Sequence, residues 1–282
     1  MPGIEETRKV PAGLSESAAP HKPRGLLDRA RGEQFFRIRR FTPSDDIGRF
    51  VERYWTVQWD VPIGRSYSSA NVPHPNVNLV FEADKTAVRG VVTRTFSYDL
   101  RGSGVVFGVT FRPGGLYPFV RKPVARYTDR VVDPHMVFSA CDSQLESRVL
   151  SAHDARTTVQ TLERLLRSQL PAPDRRIATV CAIVDRIVAD PLITKVRQIV
   201  EHFAMCERTL QHLFHTYVGV GPKWVINRYR LIQAIDHLAT AQEIDWAAIA
   251  LDLGYADQSH LIRDFTALIG TSPAAYLAAT RV

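Results

Sequence analysis

The last third of the chain contains one pattern of apolar and small residues twice. Matching residues of the two copies lie 51 positions apart: Leu210 and Leu261, Phe214 and Phe265, Gly219 and Gly270, Pro222 and Pro273. The short helix-like runs before them match 50 positions apart. Each copy has apolar residues at the i, i+3 and i+4 spacing of a helix after a tight turn, and such a unit cannot bury its apolar face alone. Residues 195–276 are therefore predicted to hold two helix-turn-helix units on a common support.

The support is predicted between the copies, where residues 222–239 have the pattern of one long helix. Pro222 suits a first helical position. Ile232, Ile235 and Leu238 fall on one apolar face. Eighteen residues (239 − 222 + 1) at about 1.5 Å each span roughly 27 Å. Such a rod would hold two helices for successive major grooves of DNA, which lie about 34 Å apart.

A longer set of residues carries a resemblance to a known family. They are Arg230, Leu231, Ala234, Leu238, Ile249, Ala250, Gly254, Tyr255, Asp257, Gln258, Ser259, His260, Leu261, Arg263, Phe265, Gly270, Thr271, Ser272, Pro273 and Tyr276. In these positions the chain resembles the AraC/XylS family of bacterial transcription regulators. The resemblance implies double-stranded promoter DNA as a partner and RNA polymerase as a further partner. It also implies an N-terminal sensory domain of the barrel type.

Three positions depart from the family pattern. In the first copy, Val200 and Ala204 stand where the family has a small alanine and the glycine of the tight turn. Leu277 stands where an arginine usually follows the last tyrosine. Because glycine commonly serves backbone positions of positive φ, the second copy is expected to seat on DNA at least as well as the first.

The outward faces of the two second helices supply the residues expected to contact DNA. They are Arg208, Gln211, His212, Gln258, Ser259, His260 and Arg263. Arginine and glutamine read guanine and adenine edges bidentately, whereas a serine hydroxyl discriminates little. Two alternatives stay open: a plain phosphate contact for Arg208, and a structural role at the helix entry for His260.

Net charge alone does not predict DNA binding. The chain has 36 Lys and Arg against 29 Asp and Glu, a net charge of +7, yet residues 174–282 hold 11 of each. Contact with phosphates therefore depends on where individual cations lie. The basic groups on or beside the two units are Arg208, His212, Lys223, Arg228, Arg230 and Arg263.

Composition divides the chain into four segments. Residues 1–34 are predicted to be a disordered tail, and residues 35–140 a β-rich sensory or assembly domain. Residues 141–173 are predicted to be a helical linker, and residues 174–282 a DNA-binding domain. A Pro-Ala-Pro sequence marks the last boundary, and Asp174 is placed to cap a helix that runs to Ala189. This hinge predicts that the N-terminal domain controls the DNA-binding domain rather than binding DNA itself.

Short segments rich in Val, Phe, Tyr and Thr make up the β-rich domain. The strand candidates are residues 50–59, 76–81, 88–93 and 105–111. Strands at this spacing predict an antiparallel β-barrel or jelly-roll-like domain with helices, and thus an α+β fold with an all-α C-terminal domain. The leucine pattern of the helical linker is expected to pack on this barrel, with a homodimer as the second alternative.

A small barrel often encloses one small molecule. Tyr54 and Trp55 are placed to line a pocket for a small-molecule effector, and Arg112 to meet an anion. The alternative, that the aromatic side chains only fill the barrel, is equally open. No metal or other cofactor is expected, because the stretch offers His74 and Glu82 alone as ligands.

Several function classes find no support in the sequence. No Gly-x-Ser-x-Gly, His-Glu-x-x-His, P-loop or Gly-x-Gly-x-x-Gly motif occurs, so no enzyme is predicted. Three scattered cysteines favour neither a disulfide framework nor a zinc site. Without a signal-peptide pattern or a membrane span, the protein is predicted to be cytoplasmic and to make no membrane contact. The rival hypothesis is a small-molecule-binding protein or enzyme whose activity lies in the barrel.

Overall fold

The computed structural model describes residues 34–152, 154–240 and 245–280 of the chain. The predicted disordered tail lies outside the described residues except for Gln34. Among the helices of these ranges, none is both long enough and apolar enough to cross a membrane.

The N-terminal part is built on antiparallel strands. They are β1 (Phe36–Phe41), β2 (Val51–Val61), β3 (Tyr67–Asn71), β4 (Asn78–Phe81), β5 (Ala87–Arg89), β6 (Phe96–Leu100), β7 (Gly102–Phe111) and β8 (Val131–Val132). Six of them form one sheet in the order β1-β2-β7-β4-β5-β8, and β3 pairs with β6 as a separate hairpin. All pairs are antiparallel.

The fold class is confirmed, but the described strands form an open sheet and no closed barrel. β1 and β8 are its two edges and do not pair with each other. Closure needs a complete register between the first and last strands. β8 has only two residues, and both already pair with β5, so it offers β1 no edge long enough to close the sheet.

The two longest strands, β2 and β7, pair with each other, and tryptophan rings of β2 lie over glycines of β7. Successive residues of β2 point to opposite faces, so Tyr54 enters the core whereas Trp55 lies on the other face. The Trp55 ring lies across Gly108, and the Trp59 ring lies across Gly104. A Cβ atom would lie 2.0 Å from the Trp55 ring at Gly108 and 2.2 Å from the Trp59 ring at Gly104, so both positions need glycine.

Three helices complete the N-terminal domain, by which we mean residues 34–168. They are α1 (Tyr117–Val120), α2 (Ser143–Leu150) and α3 (Ala155–Ser168). Asp142 and Asp154 cap α2 and α3 with their carboxylates. α2 packs on β4 and β7, and α3 packs on a 3-10 turn at Ile47–Arg49. The helices that carry the leucine pattern therefore pack within the N-terminal domain, α2 on the sheet and α3 on the 3-10 turn.

Seven helices of the described ranges form the C-terminal part, which we call the reader. They are α4 (Arg175–Ala189), α5 (Val196–His202), α6 (Glu207–Leu213), α7 (Pro222–Thr240), α8 (Trp246–Asp252), α9 (Gln258–Ile269) and α10 (Pro273–Thr280). α5 with α6 is the first helix-turn-helix unit, α8 with α9 is the second, and α7 is the predicted support between them. Asp174 caps α4, which ends at Ala189 as predicted.

The N-terminal domain packs directly on the first unit, because buried residues of both belong to one continuous apolar core. Thr128 Oγ1 donates a 2.7 Å hydrogen bond to the Gly219 carbonyl. The ring of Tyr117 lies 4.2 Å from that of Tyr217, centroid to centroid. The Pro-Ala-Pro connection therefore joins two parts that are in contact.

Candidate nucleic-acid interface

The first recognition helix, α6, buries one face and exposes the other. Leu210 and Leu213 point into the core, as does Phe214 in the π-helical turn Phe214–Val218 that extends the helix. These spacings of three and four residues give one apolar stripe. The residues left outside are the predicted ones, and each is exposed: Arg208, Gln211 and His212.

The second recognition helix, α9, repeats this arrangement. Its N-cap is Asp257, whose Oδ1 accepts a 2.7 Å hydrogen bond from the His260 amide. Leu261 and Phe265 are buried against the reader core. The predicted contacts Gln258, Ser259 and Arg263 are all exposed.

His260 differs from its neighbours on α9, because it is only partly exposed. Its ring meets the Tyr255 ring edge-on, with centroids 5.2 Å apart. Its Nε2 lies 3.6 Å from a carboxylate oxygen of Asp264. These contacts favour the structural one of the two roles that the sequence left open.

The two turns differ by one residue and by one glycine. The first has four residues, 203–206, and the second has five, 253–257, which explains why the helices match 50 apart before the turn and 51 apart after it. Ala204 has a φ of 48° and Gly254 a φ of 69°, so both need the left-handed conformation. An alanine pays about 1–2 kcal/mol for it, and glycine does not. The first turn is the strained one.

Two arginines expected to lie near DNA are buried instead, which corrects that expectation. Arg228 is 4% exposed, and its Nη2 donates a 2.6 Å hydrogen bond to the Thr93 carbonyl of the N-terminal domain. Its guanidinium lies 4.4 Å from the Trp224 ring centroid. Burial lowers the pKa of Arg228 to about 10, still well above neutral pH. Arg228 therefore joins the two domains as a cation and is not available to phosphates.

Arg230 joins the support helix to the second unit. It is 5% exposed, and its Nε donates a 2.6 Å hydrogen bond to the Leu253 carbonyl at the start of the second turn. Its guanidinium lies 3.9 Å from the Tyr255 ring centroid. Burial lowers the pKa of Arg230 from its usual value. This role could not be predicted from the sequence, because the partner carbonyl lies in the turn after α8, 23 residues away in the chain.

Lys223 stays exposed at the start of α7, but its amine has a partner within the reader. Nζ donates a 3.1 Å hydrogen bond to the Thr194 carbonyl in the loop before α5. Partial burial and the nearby Arg230 lower the pKa of Lys223.

The three predicted ligand-binding residues do not meet in one pocket. Tyr54 is buried in the core, and burial raises the pKa of its hydroxyl. Trp55 lies on the opposite face, where its Nε1 donates a 3.0 Å hydrogen bond to Thr110. Arg112 donates a 2.6 Å hydrogen bond to the Gly48 carbonyl. An open cleft of about 540 Å³ lies elsewhere, beside α2, and none of the three lines it.

His74 and Glu82, the weak metal candidates, also lie apart in their contacts. The His74 ring packs near the Tyr229 ring, with centroids 5.8 Å apart. Glu82 lies beside Lys85 and Arg89. Over the described ranges, no three His, Cys, Asp or Glu side chains come together as a ligand set.

Two family models match parts of the chain. Residues 39–133 match a family described as a domain of unknown function (DUF6597). Residues 199–279, which begin within α5 and include α6, the support helix α7, α8 and α9, match a family described as a helix-turn-helix domain. The C-terminal region is an AraC-type helix-turn-helix domain. Proteins with this AraC-type domain are DNA-binding transcription regulators, and such regulators are not normally enzymes.

Solved structures of ToxT from Vibrio cholerae are similar to the chain at low identity. An apo variant is 12% identical with a TM-score of 0.38, and covers 80% of this chain and 97% of its own. Wild-type ToxT bound to an unsaturated fatty acid is 12% identical with a TM-score of 0.34, and covers 79% and 94%. These values are too low to carry any property of ToxT over to this chain. No match is found among curated proteins.

Proposed function

We propose that the protein reads a specific DNA sequence by docking α6 and α9 in successive major grooves on one face of a duplex. The observation that carries the proposal is the pair of exposed polar faces on two recognition helices of an AraC-type domain. α7 has 19 residues, about 28 Å at 1.5 Å each, which suits two helices roughly one DNA turn apart.

The exposed side chains of α6 and α9 differ in how selectively they would bind a base. Arg208 and Gln211 suit guanine and adenine edges, as do Arg263 and Gln258 in the second unit. Ser259 suits a less selective hydrogen bond. His212 completes the first set, and His260 belongs with the helix entry through its contacts to Tyr255 and Asp264.

Footprinting tests the two-groove arrangement. Duplexes selected by the full chain from a random pool should show protection in two adjacent major grooves on one face. Arg208→Ala should relax the preference at one base pair by about 1–3 kcal/mol, and Arg263→Ala should weaken the half further from that pair. Protection of a single groove, unaffected by Arg263→Ala, would make the second unit a structural support and refute the arrangement.

The further partners, the oligomeric state, the location and the effector stay predictions. Three expectations rest on the proposed regulator function alone: RNA polymerase as a partner, a homodimer and a cytoplasmic location. The contacts within the molecule do not bear on them. A small-molecule effector stays a prediction as well, because the three side chains expected to bind it do not share a pocket.

A further inference from the structure

A basic surface of the N-terminal domain lies beside the first recognition helix. Residues 121–130 carry four cations and one acid, a net charge of +3 (4 − 1). The cations, all exposed, are Arg121, Lys122, Arg126 and Arg130. Over the described ranges, none of their side chains forms an ion pair or a hydrogen bond. The acid, Asp129, is engaged by the amide and hydroxyl of Thr93.

Contacts place this basic segment at the end of α6. Its 3-10 turn, Val124–Tyr127, packs on the π-helical turn that extends the recognition helix. Thr128 bonds the Gly219 carbonyl, and a Cβ atom placed on Gly219 would lie 3.2 Å from Val124 Cγ1. A Cβ atom placed on Gly221 would lie 3.7 Å from Gln211 Oε1. A short run of contacts thus joins the proposed base-reading face to the basic segment.

The dimensions of DNA suit a contact at this place. From Gln211 to Val218 the helix axis rises about 10 Å, at 1.5 Å per residue. The major groove is about 12 Å wide and is bordered by phosphates. If Gln211 reads a base edge, the far end of the helix, with the basic segment beside it, lies near the flanking phosphates.

Part of the reader's positive charge is engaged within the protein. Its 11 Lys and Arg are balanced by 11 Asp and Glu over residues 174–282. Arg228 and Arg230 are buried, and Arg186 and Arg197 are held in ion pairs with neighbouring acids. Because phosphate contacts supply a large share of protein–DNA affinity, cations outside the reader would add to its affinity for DNA.

We propose that residues 121–130 of the N-terminal domain bind the DNA phosphates that flank the first recognition helix. The inference rests on the proposed DNA-reading function and extends the interface beyond the reader. It replaces the expectation that the N-terminal domain does not touch DNA. Arg126 is the centre of the contact, because it lies between Val124 and Thr128, which both touch Gly219. Lys122 is the neighbouring cation on the side of α1.

The test uses the full chain and duplexes that it selects from a random pool. The variant Lys122→Gln with Arg126→Gln should bind about tenfold more weakly at 50 mM salt, and its slope of log K against log salt should be shallower by about 2. Its base preference should not change. The control, Arg65→Gln with Arg101→Gln, removes the same charge from exposed positions of the same domain and should bind like the wild type.

The outcomes separate this inference from the proposed function. If the wild type selects a sequence and the Lys122 and Arg126 variant keeps its affinity and salt slope, the phosphate contact is wrong while DNA reading stands. An equal loss in the control pair would overturn the contact too, because it would reflect net charge only. A wild type that enriches no sequence would contradict the proposed function itself. Unchanged unfolding temperatures establish that both variants fold.

Discussion

The first helix-turn-helix unit packs on both the N-terminal domain and the support helix, whereas the turn of the second unit is held by an arginine of the support helix. The end of α6 packs under Thr128 and Tyr117, and Arg228 bonds the Thr93 carbonyl nearby. α9 meets the N-terminal domain through a hydrogen bond from Thr95 to the Leu268 carbonyl. Its turn is otherwise held by Arg230 on α7. One duplicated pattern has thus acquired two kinds of tertiary support.

A repeat in sequence therefore predicts the local unit but not the neighbours that stabilise it. Helix periodicity depends on residues three and four apart, whereas support comes from groups far away in the chain. Changes to the support should therefore act on one unit and spare the other.

Arg230→Ala should have the largest effect and should act on the second unit. It removes a charge-assisted hydrogen bond to Leu253 and the stacking on Tyr255, so the free energy of unfolding should fall by about 3 kcal/mol. Denaturant unfolding measures the loss, and amide exchange should rise in α9 more than in α6. Arg263→Ala, an exposed change on α9, should stay within about 0.5 kcal/mol. Equal exchange in both recognition helices would contradict their separate support.

Arg228→Ala should act on the first unit. Loss of the bond to the Thr93 carbonyl and of the contact with Trp224 should lower the free energy of unfolding by about 2 kcal/mol. Amide exchange should rise across residues 214–220, where the N-terminal domain packs on the first unit, and should rise less in α9. Arg175→Ala, which changes an exposed arginine, is the matched control. Exchange that rises in α9 instead would show that the interface supports the second unit.

Gly254→Ala should weaken the second turn by about 1–2 kcal/mol, because alanine is strained at this positive φ. Its new Cβ would also lie 2.3 Å from Thr194 Cγ2, so this neighbour must shift. Thr194→Ser removes that methyl group. In thermal unfolding, the double variant should therefore recover only the part of the lost stability that comes from the steric clash. Complete recovery by the double change would mean that the backbone conformation costs nothing here.

Ala204→Gly is the opposite change in the first turn and should have the smallest effect. Relief of the left-handed alanine is largely offset by the greater freedom of glycine in the unfolded chain, which leaves a gain of about 0.5 kcal/mol. Ala267→Gly, within α9, should instead lower the free energy of unfolding by about 1 kcal/mol. A loss in Ala204→Gly as large as in this control would show that the first turn is not strained.

The sequence predicted the outward faces of α6 and α9 because a helix period places them. Arg208 and Arg263 are exposed as the spacing required, and Leu210 and Leu261 are buried opposite them. The buried role of Arg228 was beyond prediction, since its partner carbonyl at Thr93 is 135 residues away. Whether Arg208 and Arg263 meet DNA stays a prediction.

In the N-terminal domain, the two long strands were predicted and the pairing of short strands was not. β2 and β7 carry clear apolar runs, whereas β3 and β6 are short and mix polar with apolar residues, with serine at three of their ten positions (two in β3 and one in β6). Their pairing depends on neighbours across the sheet rather than on their own pattern. For the same reason, the sequence did not show that the sheet stays open at β1 and β8.

The extra residue in the second turn decides how parts of the two units can be exchanged in a chimera. Residues of the recognition helices correspond at an offset of 51, but those of the preceding helices correspond at 50. If the sequence of α6 replaced that of α9 at an offset of 50 instead of 51, each side chain would be rotated by about 100° around the helix axis. Leu210 would then replace the half-exposed His260, and the core position of Leu261 would receive a glutamine. An exchange that begins at the N-caps Cys206 and Asp257 keeps the phase, so the recognition helix with its own cap is the transferable module.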